Sequence, residues 1–225
     1  MERTKAMLKN MELNPMITLS DTLNKVMYNN HPLTVRMKAE DYDKVDYAKA
    51  MEMYKDRFAD PNNFTFTFVG NIDVKTFRPL VEQYLASLKK NKRKEDWKNI
   101  GLAVNDDNYV THYRKEMQDP KTSVYMIYNG DMEYNLYNDT YMDVLSDVLD
   151  IVYTKSIREE QGGTYGVGVM GQINNRPEDN FMFYIVFDTN DEVYATLMDI
   201  AKAGLKDIAE NGPRQEDLSK VLENK

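Results

Sequence analysis

Two stretches of the chain follow one order: an aromatic strand, a polar turn, then a helix with a single apolar stripe. In the first, Phe64, Phe66 and Phe68 alternate with Thr65, Thr67 and Val69, the period of two that gives a strand one greasy face. Gly70-Asn71 turns the chain and Asp73 caps a helix, along which Phe77, Leu80, Val81, Tyr84, Leu85 and Leu88 recur at helical spacing. Pro79 lies inside that stripe, so the helix is expected to begin later or to bend early. In the second, "NFMFYIVFDTN" is a strand that is almost all apolar, and Asp188 to Asp191 make a polar turn. A helix follows with Val193, Leu197, Ile200, Ala201, Leu205 and Ile208 inward, ending at Asn211-Gly212-Pro213. A chain that changes period in this way builds sheets packed on one face by helices. The duplication predicts an α+β fold of two related domains with mainly antiparallel sheets.

The remaining segments fit around these two. The first 58 residues read as helical: Asp21 caps a short helix that His31-Pro32 ends, and Asp46 caps a second with Tyr47, Ala50, Met51, Tyr54 and Phe58 on one face. Residues 89 to 109 have no period and many charges, which predicts a linker pinned by Trp97, the only tryptophan. After it, "KTSVYMIYNG" is a strand, and residues 139–153 form a helix with Tyr141, Val144, Leu145, Val148, Leu149 and Val152 inward. "TYGVGVMGQ" is a further strand that places Tyr165, Val167 and Val169 on one face. The expected boundaries are a first domain over 1–90, a linker over 91–109 and a second domain over 110–225. The early helices lack strands to cover, and "PRQEDLSKVLENK" starts a capped helix and stops. The expectation is therefore a fragment, with the first domain represented by its C-terminal portion and the second cut short at its C-terminal end.

Composition narrows the chemistry. With no cysteine there is no disulfide, thiolate zinc site or cysteine nucleophile. The net charge of −8 argues against nucleic acid as a partner. The one basic run, "KKNKRK" (Lys89 to Lys94), is followed by acids and reads as a solvated linker. No window approaches the roughly 18 apolar residues of a membrane span, and "MERTKAMLKN" is no signal peptide. Two histidines, His31 and His112, stand far apart in sequence without His-x-x-Glu-His or His-Glu-x-x-His around them, and they read as a turn and a strand histidine.

The stretch "SIREEQGGTYGV", Ser156 to Val167, breaks a helical run with charge and glycine and then sends a tyrosine toward a strand. Four readings compete. A phosphate cradle fails on two counts: the glycines open a strand where a cradle needs a helix N-terminus, and Glu159 and Glu160 repel anions. Those two acids as a catalytic pair fail because adjacent side chains diverge. Arg158 and Tyr165 then form either a device or a plain turn. An arginine fork holds main-chain carbonyls and a tyrosine hydroxyl donates to a developing oxyanion. In the plain turn, Arg158 pairs with Glu159, Glu160 or a neighbour and Tyr165 is core.

At these residues the chain resembles the second half of the pitrilysin-like zinc peptidases, the inverted-motif family M16. "FVGNIDVKTFRPLVEQYLASL" looks like the strand, turn and helix that close one family domain. "SIREEQGGTYGVGV" looks like the family's Arg…Tyr segment, with Arg158 and Tyr165 seven apart. "YNNHP" and "YKDRFADPNNFTF" resemble the long single-chain bacterial members, and the likeness runs from about residue 24 to 222. The resemblance implies two bowl-like halves around a chamber. One half holds zinc on His-x-x-Glu-His with a downstream Glu. The other supplies Arg158 and Tyr165 to an extended peptide that adds to a sheet edge. Gly162 and Gly163 let the backbone turn between them and enter the substrate-binding set. Zinc and its ligands are then expected in the full-length protein outside this chain, on the N-terminal half of the same polypeptide or on a partner subunit. The chain alone is expected to be inert, with an exported or periplasmic location favoured. The alternatives within the same fold are a peptide-binding module without catalysis and a structural assembly subunit.

Overall fold

A computed structural model describes residues 2–89, 96–108 and 110–225. The chain divides into two units, Met1–Asn14 with Arg36–Gly101 and Pro15–Val35 with Leu102–Lys225. Most of the expected basic run and part of the expected linker, residues 90–95 and 109, lie outside the described residues.

The second unit is an α+β fold with a small antiparallel sheet. Its strands are β1 (Thr122–Asp131), β2 (Val167–Asn174) and β3 (Asn180–Thr189), in the order β1-β3-β2. The registers Val124↔Phe187↔Val167 and Met126↔Ile185↔Val169 line apolar residues up across one face. Helices α5 (Leu136–Tyr153) and α6 (Tyr194–Asn211) are packed against this face, with Leu149, Tyr153, Leu197 and Ala201 in the core. Close approach is set by glycine: a Cβ on Gly171 in β2 would stand 2.4 Å from Met142 Sδ and 2.8 Å from Ser146 Oγ on α5. The unit also contains α2 (Pro15–Met27) and α7 (Gln215–Glu223). Backbone joins its early and middle segments where Asn105 N–H donates to Met27 O at 2.6 Å, and Asn129 donates to Asn105 O at 2.9 Å.

Helix starts follow their caps. Asn135 accepts from Asn138 N–H at 2.9 Å, so α5 begins at Leu136, three residues before the expected 139. Asn135→Ala should lower the stability of this unit by about 1 kcal/mol, read as a lower urea midpoint at unchanged slope. Asp21 is no cap: α2 opens on Pro15, whose missing N–H costs nothing at a first turn, and Asp21 lies within it. Tyr141, expected inward on α5, is exposed, because the buried seam runs through Met142, Leu149 and Tyr153.

The first unit holds α1 (Glu2–Leu13), α3 (Tyr47–Phe58) and α4 (Val74–Tyr84). Asp46 and Asp73 cap α3 and α4 as expected, and α4 runs through Pro79 without interruption. The first aromatic strand, residues 64–69, is not formed as a strand. A strand is defined by its ladder, and among the described residues nothing pairs with this segment. Phe64, Phe66 and Phe68 stay exposed and pair with neighbouring rings such as Phe77, whose centroid is 4.9 Å from that of Phe68. The expected apolar faces of α3 and α4 bury no residue, and Trp97 is exposed where it was expected to pin the linker. His112 is exposed and lies outside any strand, and His31 caps the short turn Pro32–Thr34.

Candidate functional site

The segment between α5 and β2 carries the residues singled out by sequence. After α5 the helix widens into a π turn, Thr154–Glu159, in which Glu160 N–H reaches back five residues to Lys155 O at 3.0 Å. Such insertions are frequent at functional sites. Tyr153 and Ile157 on its inner side are fully buried. Arg158 lies in the same turn and is exposed. Among the described residues its guanidinium makes no ion pair or hydrogen bond, so the pairing with Glu159 or Glu160 that a plain turn would use is not formed.

Gly162 takes φ +59°, a left-handed conformation that glycine adopts freely, and its N–H donates to Arg158 O at 3.1 Å. Gly163 answers a different demand. A Cβ there would stand 3.1 Å from Leu197 Cδ1 and 3.3 Å from Val193 Cγ2, at the start of α6. Its carbonyl accepts the Thr189 hydroxyl at 2.6 Å. Thr164 Oγ1 donates to Gly166 O at 2.8 Å and accepts from Gly166 N–H at 3.2 Å, closing a small turn around the residue between them. That residue is Tyr165, 99% exposed.

Two expectations are corrected here. Tyr165 does not share a strand face with Val167 and Val169: the Thr164–Gly166 turn delays β2 until Val167 and leaves the phenol in solvent. Thr189, read as part of a polar turn, is the last residue of β3 and almost buried. No apolar pattern marks it, since its task is one hydroxyl bond made 26 residues away in sequence.

A cleft of about 450 Å³ opens beside this segment, lined by Asp150, Thr154, Lys155 and Glu159 on one side and by Arg214, just before α7, and Asp217 within it on the other. Burial pushes the Asp150 carboxyl up, against an opposing hydrogen bond from Val169 N–H. Asp217 is buried and bonded to Arg214 Nε at 2.8 Å. The walls carry both signs, and Arg158 is not among them. At the end of β3, burial opposes ionisation of Asp188, but Lys121 at 2.6 Å and Ser123 outweigh it and hold the carboxyl below its ordinary value.

Zinc finds no site among the described residues. Among the described residues no three of His, Asp and Glu stand together as ligands. Among them too, no helix is long and apolar enough to cross a membrane.

A family model described as "Peptidase M16 inactive domain" matches residues 44–225. The chain belongs to the M16 peptidase family. The M16 part that it matches is the inactive, non-zinc domain. A "Zinc protease PQQL-like" protein of Arabidopsis thaliana is 25% identical over 94% of this chain and 24% of its own length. The periplasmic protease PqqL of Escherichia coli shares the fold at TM-score 0.83 and 19% identity, over 99% of this chain and 24% of that one. An M16 inactive domain from Pseudomonas fluorescens aligns at TM-score 0.64 and 15% identity, over 98% of this chain and 53% of that one. The chain thus spans about a quarter of the length of the first two relatives.

Proposed function

We propose that this chain is the substrate-holding part of a zinc metalloendopeptidase, in which Arg158 and Tyr165 engage an extended peptide while zinc and its ligands reside on another half of the polypeptide or on a partner subunit. The observation that carries the reading is Tyr165, 99% exposed at the tip of a turn held by hydrogen bonds. Among the exposed large apolar and aromatic side chains of the described residues it is the most exposed, and a ring with a hydroxyl at its tip suits a contact site. Arg158 opens the same connection with its guanidinium unengaged among the described residues. In this reading Arg158 holds peptide carbonyls through its fork, and Tyr165 donates to the oxygen that gains charge. Gly162 and Gly163 keep the approach free of side chains.

The domain organisation is part of the reading. Residues 1–90 belong to one M16-type domain, 91–109 form the linker, and 110–225 belong to a second, related domain. The support is the bare row of Phe64, Phe66 and Phe68, which has the pattern of a strand and lacks its ladder. The likeness to a protease described as periplasmic favours an exported location.

Metal analysis and cleavage of a quenched peptide test the reading together. The dialysed chain should hold well under one zinc and cleave nothing, and joining it to a zinc-bearing half should restore cleavage. One tightly held zinc per chain, or hydrolysis by the chain alone, overturns the division of labour. Peptide binding without cleavage by the joined protein would leave a binding module.

A further inference from the structure

We infer that Thr189 is a positioning residue for Tyr165, setting the direction in which the phenol meets the peptide. The inference rests on the reading of Tyr165 as a substrate-contacting group.

An exposed side chain with no packing around it takes its place from its backbone alone. Tyr165 is such a side chain, since its ring is 99% exposed and rests on no core residue. Its aim is therefore set wherever residues 162–166 are fastened. Two fastenings are local: Gly162 N–H to Arg158 O, and the Thr164–Gly166 turn. They shape the loop and move with it. The third, from Thr189 Oγ1 to Gly163 O at 2.6 Å, ties the loop to the sheet. Thr189 stands opposite Thr122 at the end of β3 and is 9% exposed, so it is a fixed point. Gly163, without a side chain, lies directly against Leu197 and Val193 and has only its backbone to be held by. The phenol is thus held to the sheet from both sides: two residues after it the chain enters β2 at Val167, opposite Phe187, and two residues before it the Thr189 hydroxyl supplies the anchor that no strand pairing provides. Misplacement of a reacting group by even about 1 Å is enough to slow catalysis.

The test uses the polypeptide that joins this chain to its zinc-bearing half. Thr189→Val keeps the shape and removes the hydroxyl. It should lower kcat about fivefold, as expected for one lost hydrogen bond, with KM within about twofold, since a group used at the transition state acts on kcat. Thr189→Ser should return kcat to within about twofold of the parent. Thr189→Val added to Tyr165→Phe should slow the enzyme no further, because both act through one hydroxyl. Amide exchange over Gly163–Val167 should rise in Thr189→Val while α6 stays protected. Parental turnover in Tyr165→Phe would overturn the reading of Tyr165 itself. A slow Tyr165→Phe beside a Thr189→Val of parental kcat, or losses that multiply in the double variant, would overturn the role of Thr189 alone. If Thr189→Val fails to fold, Thr189→Ala takes its place under the same criteria. Failure of both would make Thr189 a residue of the core and overturn its positioning role.

Discussion

Arg158→Ala and Tyr165→Phe should each slow peptide cleavage by the joined, zinc-bearing protein at least about tenfold, the effect of losing a hydrogen bond to a developing charge. Both side chains are exposed, and neither has a hydrogen-bonding or ionic partner of its own among the described residues. Such substitutions usually change stability by less than about 0.5 kcal/mol, so the melting temperature should not move. That separates the effect from unfolding, which core substitutions cannot do. The two variants should also differ in kind. Loss of the Arg158 fork removes grip on main-chain carbonyls in the bound and transition states alike and should raise KM. Loss of the Tyr165 hydroxyl should fall on kcat. A quenched-peptide assay giving parental kcat and KM for both variants would refute the assignment, and equal losses in KM alone would reduce Tyr165 to a binding contact.

How far the sequence speaks depends on whether a residue's task is local. Leu197 and Ala201 announce themselves because helix burial repeats every three or four positions, and both are in the core. The strand "NFMFYIVFDTN" is found almost to the residue, since apolar side chains on both faces leave no other reading. Phe64, Phe66 and Phe68 have as clear a pattern, yet a pattern specifies a face and never a partner. Without a ladder the segment stays open. Arg158 is placed by motif in the correct connection, but the π turn beneath it is silent. Leu149, Tyr153 and Ile157 keep a spacing of four, and the extra residue in the turn leaves no gap in the apolar series. Alternation with Val167 and Val169 draws Tyr165 onto a strand face. A threonine turning back on Gly166 overrides alternation, because it satisfies backbone groups before the ladder begins. The bond that Thr189 makes leaves no trace in the sequence, since its partner is a carbonyl brought close only by the fold.

The largest effect on stability should come from Tyr153, where α5 meets α6. The phenol is fully buried, and its hydroxyl donates to Ala201 O at 2.7 Å. Burial, helped by Tyr128, pushes its ionisation far above the ordinary range, so it remains a donor at any working pH. Tyr153→Ala should cost about 3–5 kcal/mol, the usual loss for a large aromatic replaced by a cavity. Against a total stability of about 5–15 kcal/mol that removes much of the margin. Tyr153→Phe should cost only about 1 kcal/mol, the net worth of one hydrogen bond. The ring also explains Gly204, a glycine inside a helix, where alanine would ordinarily be favoured by about 1 kcal/mol. A Cβ at Gly204 would lie 2.7 Å from Tyr153 Cε1, with the ring held fast in the core. Overpacking of this kind costs about 1–3 kcal/mol, so it outweighs propensity and Gly204→Ala should destabilise the parent. In the Tyr153→Ala background the obstacle is gone and the same methyl partly fills the cavity, so the sign of Gly204→Ala should reverse. Urea titrations of the two single variants and the double variant measure this as a coupling. Gly204→Ala destabilising by the same amount in both backgrounds would mean that the ring does not set the approach of α6 to α5.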